Sequence, residues 1–205
     1  MSTDAFELMQ HMDQGAIETQ LVLQCTPVLV GLKVSNLLTI EKQQLVTLQQ
    51  YIQQAKLSCY VLLKTDKKVA VLVYQKYQLV KYLCKQEIMY FLQSFGYCST
   101  RLEDCLERLS KRYETYWKKT GEFPHEMGIF LGYPMEDVQG FIEKEGREFL
   151  LNGYWKVYHD QHNKKLLFEK YETAKDWMIL LVSNGMDLNE AAKLMRQGRL
   201  YSIYI

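Results

Sequence analysis

The chain has 205 residues, 48% hydrophobic and 24% charged, the balance of a folded globular protein rather than a disordered or fibrous one. Lysine and arginine number 25 against 24 aspartate and glutamate, so no net field draws polyanions or anionic membrane onto the surface, and non-specific nucleic-acid binding is not expected. The length suits one domain with a substantial core.

The first residues, MSTDAFELMQHMDQG, have neither the basic stretch nor the apolar run of a signal peptide, and no later run reaches the length of a bilayer span. A cytoplasmic protein without membrane contact is therefore expected. Cys25, Cys59, Cys84, Cys98 and Cys105 are scattered without a C-x-x-C pair and read as free thiols of a reducing compartment.

Asp4 with Glu7 has the form of a helix cap, predicting a short helix over 4–13 that ends at Gly15. LVLQCTPVLVGLKVSNLL (21–38), rich in β-branched residues and broken by Pro27 and Gly31, reads as an irregular strand or loop. Thr39 can cap IEKQQLVTLQQYIQQA, a helix with Ile40, Leu45, Leu48 and Ile52 on one face. The period then drops to two. CYVLLK (59–64), the turn TDKK and VAVLVYQ (69–75) predict a β-hairpin.

Helical spacing returns at Leu79, Leu83, Ile88, Phe91 and Phe95, predicting a helix over 77–95 stopped by Gly96. Thr100 with Glu103 opens the next, which carries Leu102, Cys105, Leu106, Leu109, Tyr113 and Trp117 inward. FPHEMGIFLGYPMEDVQGFIEKEG (123–146) predicts a short helix over 125–131, a turn at Gly132 and a second helix with Pro134 in its first turn. GYWKVYHD (153–160) reads as a strand, with Trp155, Val157 and His159 on one side and Tyr154, Lys156 and Tyr158 on the other. A helix over 163–183 buries Leu166, Leu167, Tyr171, Ala174, Met178, Leu181 and Val182; Asp187 and Glu190 cap a last one, LNEAAKLM, before the aromatic tail RLYSIYI. The predicted class is α+β: a single domain over 1–205, with a small sheet made of a β-hairpin and one further strand, packed by about six or seven helices.

The stretch 123–146 admits three interpretations. As a helix-turn-helix it has the right outline, yet its second helix offers Glu136, Asp137, Gln139 and Glu143 where a DNA reader needs basic and amide donors. As an active site it offers His125, kept neutral near a helix start, and Glu126 as acid, base or metal ligand, without the second histidine of H-E-x-x-H. As a tight corner it needs Pro124, Gly128 and Gly132 merely to fold. Elsewhere, Cys25 precedes Pro27 with Lys33 nearby, a setting that could favour a thiolate, although a cysteine is more often a small core residue. Lys156 between Tyr154 and Tyr158 would suit a phosphate or carboxylate on a planar molecule, or simply stand in water. There is no P-loop, G-x-G-x-x-G or G-x-S-x-G.

Residues 123–146, GYWKVYHD and F-E-K-Y together resemble a family of small bacterial proteins, found mostly in anaerobes and catalogued as domain of unknown function 3793. The similarity rests on Pro124-His125-Glu126, Gly128, Phe130-Leu131-Gly132-Tyr133-Pro134, Asp137-Val138, Gly140-Phe141-Ile142 and Gly153 to Tyr158, with Cys25, Pro27, Gly31, Leu32 and Lys33 matching an earlier element. It covers 20–171, leaving 172–205 as a helical extension; where the family tends toward Arg-Pro after VLVY, this chain has Gln75-Lys76. The resemblance names no reaction, but it places Cys25, Lys33, His125 and Glu126 inside family motifs.

Two functions stand out. In the first, the Cys-x-Pro and Pro-His-Glu motifs form one pocket for a small ligand, metal or redox cofactor, with Cys25, His125 and Glu126 as catalytic or metal-ligating candidates and Lys33, Tyr133 and Lys156 as cofactor-binding candidates. In the second, the chain is a non-catalytic protein-interaction or regulatory module, docking through the Gly-Tyr-Pro corner, Phe141 and acidic helix 134–145. Helix-turn-helix binding to DNA is a distant third.

Overall fold

The computed structural model describes residues 1–198. Three antiparallel strands, β1 (Ser35–Glu41), β2 (Ser58–Lys64) and β3 (Lys68–Tyr74), form a sheet in the order β1-β3-β2. The hairpin β2–β3 is the one expected, and the Thr65 hydroxyl closes its turn against the Lys68 backbone. β1 occupies residues expected to end an irregular segment and begin a helix. Its partner β3 is central, and its Val69–Tyr74 run is buried on both faces, which explains the unbroken apolar sequence VAVLVY. Each such aliphatic side chain is worth roughly 1.5–3 kcal/mol on burial.

Most of the segment before β1 is helical, up to Leu29. α1 (Thr3–His11) is capped by Ser2, which accepts from the Ala5 amide, rather than by Asp4. α2 (Ile17–Gln20) runs through a π-helical turn over Leu21–Cys25 into α3 (Thr26–Leu29), correcting the expected strand or loop over 21–29, whereas 30–34 is a turn and 35–38 belongs to β1. Pro27 lies in the first turn of α3, where its missing N–H is no loss, so it starts a helix rather than breaking one. The helix expected from Thr39 begins later: Glu41 and Gln44 form a reciprocal capping box, and a 3₁₀ turn at Lys42–Gln44 leads into α4 (Leu45–Gln54).

The predicted helix 77–95 is two, α5 (Lys76–Leu83) and α6 (Gln86–Ser94), broken where Lys85 turns extended. α7 (Leu102–Trp117) begins after Arg101 without a side-chain cap, and its Trp117, expected inward, is 57% exposed. α8 (Met127–Phe130) and α9 (Met135–Glu143) form the expected corner. The strand expected over 153–160 shrinks to a two-residue pairing of β4 (Leu151–Asn152) with β5 (Lys156–Val157), because residues 153–155 form the turn between them and the amides of Tyr158 and His159 donate to the Asp137 carboxylate instead of a strand. α10 (Gln161–Ser183) and α11 (Leu188–Arg196) follow, the latter capped by Asp187 as expected. One-turn segments and the split at Lys85 raise the helical count above six or seven. The tail RLYSIYI lies outside the described residues.

The result is an α+β domain with helices on both sides of the sheet. Leu38, Ile40, Val69, Val71 and Val73 face a cluster built by α1 to α4, α10 and α11. Leu62, Leu72 and Tyr74 face a second, built by α5 to α9. A third, smaller cluster joins Trp155 and Val157 to Phe168 and Tyr171 of α10. Among the described residues no helix is long and apolar enough to cross a membrane.

Candidate functional site

His125 and Glu126 are neighbours in sequence but face different surroundings, because successive residues near a helix start point about 100° apart. Glu126 is fully buried. The Arg112 guanidinium of α7 grips both its oxygens, with Nε on Oε1 and a terminal nitrogen 3.3 Å from Oε2, while the Tyr97 hydroxyl donates to Oε1 at 3.0 Å. Bonding to Glu126 raises the Arg112 pKa above its ordinary value, and burial, with Glu126 next in weight, pushes the Tyr97 phenol up. The carboxylate is committed to holding α7 against the corner.

His125 turns the other way, packing edge-on against Phe123 at 5.6 Å and tilted against Phe141 at 5.5 Å between ring centres. Neither ring nitrogen makes a hydrogen bond among the described residues. His125 borders a cavity of about 280 Å³. Met127, Gly128, Leu131 and Val138 form an apolar floor, Tyr133 and Trp155 one wall, and Phe123, Phe141 and Lys156 continue around His125.

That wall is assembled by buried polar chemistry. Tyr133 stacks on Trp155 at 4.8 Å and 26° between planes. Trp155 Nε1 donates to Asp137 Oδ2 at 2.7 Å, and Asp137 Oδ1 accepts from the backbone amides of Tyr158 at 2.8 Å and His159 at 3.1 Å. Asp137 lies in the first turn of α9, where the helix dipole favours its charge, and is only 2% exposed. It thereby ties the β4–β5 segment to α9. Gly140 lets the two approach: a Cβ there would stand 2.6 Å from Tyr158 Cγ. Gly132, at φ +73°, makes the left-handed turn between α8 and α9. The corner is anchored to the rest of the fold by the Ser35 hydroxyl donating to the Phe130 carbonyl and by the Tyr82 hydroxyl donating to that of Tyr133.

Lys156 is half-buried. Its ammonium donates to the Gly146 carbonyl at 2.7 Å and stands over the rings of Phe149 at 5.0 Å and Phe141 at 5.8 Å. No carboxylate among the described residues pairs with it.

Lys33 meets this structure only through Tyr133. Its ammonium lies 5.2 Å from the Tyr133 ring centre and donates to Asn36 Oδ1 at 2.7 Å, while the Gln75 side chain donates to the Lys33 carbonyl at 2.9 Å. Burial lowers the Lys33 pKa to about 8, an effect that the neighbouring Cys25 partly opposes. Cys25 is wholly buried, and burial pushes its thiol up to about 12 against the lowering influence of Lys33 and Asn36. The expected thiolate gives way to a core thiol, since desolvation outweighs the nearby cation.

The candidates thus divide. His125, Tyr133 and Lys156 line one cavity, Lys33 touches its wall indirectly, Cys25 packs in the cluster on the other side of the sheet, and Glu126 belongs to a separate ion pair. Cys25, His125 and Glu126 are not gathered into a ligand set, and no group of three or more His, Cys, Asp or Glu residues suited to a metal occurs among the described residues. Sequence reasoning missed Asp137, which it counted only among the acids unsuited to reading DNA and within the family pattern, and Trp155 as a cavity wall. An acid in an otherwise inward-facing Asp-Val pair, followed by a tryptophan with an N–H to satisfy, was the available signal.

A family model described as "Protein of unknown function (DUF3793)" matches residues 21–192, reaching past Tyr171 into α11. No curated protein and no solved structure matches the chain.

Proposed function

We propose, for a chain that belongs to the DUF3793 family, that it binds a small, largely apolar molecule in the cavity beside the α8–α9 corner, in the cytosol of a bacterium. The observation carrying this reading is the cavity itself: about 280 Å³ with an apolar floor, aromatic walls and the polar side chains of His125, Asp137 and Lys156. At ~30 Å³ per liquid water this is space for roughly nine waters, or a guest of about a dozen non-hydrogen atoms. The guest would lie against Tyr133 and Trp155, with Met127, Leu131 and Val138 beneath it. Cys25 has no part in binding. The cytosolic setting is supported by five free cysteines.

The alternative docking face draws less support, because Tyr133 and Phe141 are half-buried in the cavity lining rather than presented outward. DNA reading draws less still, since α9 exposes Glu136 and Glu143.

Titration with 2-naphthol, followed by calorimetry, tests the reading. Wild type is expected to bind one equivalent saturably, and Leu131→Trp, which fills the floor, to lose that binding while melting cooperatively. Binding that is unchanged in a folded Leu131→Trp protein would place the guest elsewhere.

A further inference from the structure

We infer that the guest of this cavity carries an anionic group, so that the natural ligand class is a compact ring or short-chain carboxylate rather than a neutral hydrocarbon or an amine. The inference rests on the cavity reading above and deepens it. Lys156 is a half-buried cation with no carboxylate partner among the described residues, and its single hydrogen bond, to the Gly146 carbonyl, leaves two N–H donors unused. Two aromatic faces hold its stem and head in place beside the cavity. His125 is a further polar side chain lining the same cavity, again without a hydrogen-bond partner among the described residues, and supplies a second donor for an anionic guest.

The acid that could have neutralised them is already committed. Asp137 lines the cavity, yet its two oxygens accept from Trp155 Nε1 and from two backbone amides, which spread its charge over donors on the far side of the wall. Glu126, next to His125 in sequence, is likewise taken by Arg112 and Tyr97. The cavity therefore offers donors without a free acceptor of matching charge, which favours an anion and opposes a cation. An apolar interior with a donor pair at one edge suits a molecule with an apolar body and a single anionic head.

The test compares 2-naphthoate with its neutral isostere 2-naphthamide by calorimetry on the full chain, in wild type and in Lys156→Met. The carboxylate is expected to bind wild type about tenfold more tightly than the amide, a difference of about 1.4 kcal/mol. Lys156→Met should bring the two within about threefold, because the carboxylate loses a full charge–charge attraction and the amide at most a hydrogen bond to its carbonyl. Equal binding of both by wild type would overturn the anionic preference and leave the cavity reading standing. A preference surviving in Lys156→Met would overturn the role of Lys156. Saturable binding of neither would overturn the inference and the cavity reading together. Should Lys156→Met fold poorly, the wild-type pair decides alone, because the preference must also shrink with added salt.

Discussion

Tyr133 stands between two regions that differ in what surrounds their reactive groups. Around Cys25, Lys33 and Asn36 the side chains are packed shut: the thiol is pushed up to about 12, and the ammonium is matched to one amide oxygen and one ring. Around His125 and Lys156 there are about 280 Å³ of space and two donors without charged partners. The first region holds the stronger nucleophiles and cannot use them, since a buried thiol stays protonated and no substrate reaches it. The second holds weaker groups with room to act. Space and solvation, more than residue type, decide which region can meet a ligand.

The largest expected effect breaks the open region. Asp137→Ala removes the acceptor of three N–H groups of the β4–β5 segment, two of them backbone amides, and should cost about 3–5 kcal/mol, read as a lower urea midpoint. Asp137→Asn, which keeps one carbonyl acceptor, should cost less. A negligible loss in Asp137→Ala would show that the wall does not depend on this clamp. Gly140→Ala forces a methyl against Tyr158 and should cost about 1–3 kcal/mol, with a fall in naphthol affinity as the wall shifts. Full affinity at reduced stability would separate the wall's position from its packing.

The closed region is sharpened by pH. Lys33 loses its proton near 8 when folded and near 10.5 when unfolded, so over that interval the unfolded chain binds more protons and stability rises with pH. Cys25 acts in the opposite direction: its thiol titrates at 9.0 unfolded and about 12 folded, so its contribution is complete below 9 and is lost as pH rises toward 12. The net gain is therefore concentrated between pH 8 and 9 and amounts to about 1 kcal/mol at most, from a ceiling of about 1.4 kcal/mol per pH unit. Denaturant titrations at the two pH values should show this rise in wild type and not in Lys33→Met; a parallel rise in the variant would assign it to another group. The smallest effect is chemical. Under native conditions iodoacetamide should label exposed Cys84 and Cys98 and leave Cys25 untouched until the chain unfolds. Early labelling of Cys25 would remove the contrast between the regions.

How much of this could be read from the residues depends on whether the signal was local. The β2–β3 hairpin was legible because alternation and a polar turn sit side by side. β1 was not, because Thr39-Ile40-Glu41 reads equally as strand or helix start, and only pairing with β3 decides between them. Residues 21–29 read as extended from their β-branched content, whereas a π-helical turn and a proline at a helix start make them helical. Family motifs pointed to Tyr133 and Lys156, which do share the cavity lining with His125. They could not separate His125 from Glu126, since adjacent positions carry no sign of which neighbour faces Arg112. Nor could they show that Lys33 would be sealed behind a tyrosine.

The Asp137 clamp has a consequence for association. Trp155 is held by a hydrogen bond through Asp137, and Tyr133 is held by stacking, by Lys33 and through its own carbonyl, all before any guest arrives. Ordering a free side chain on binding costs about 0.5–1.5 kcal/mol. Here that entropy is lost once, at folding. A molecule of only a dozen atoms has little surface with which to offset such a loss, so a wall rigid beforehand would favour retention of the small guest proposed above.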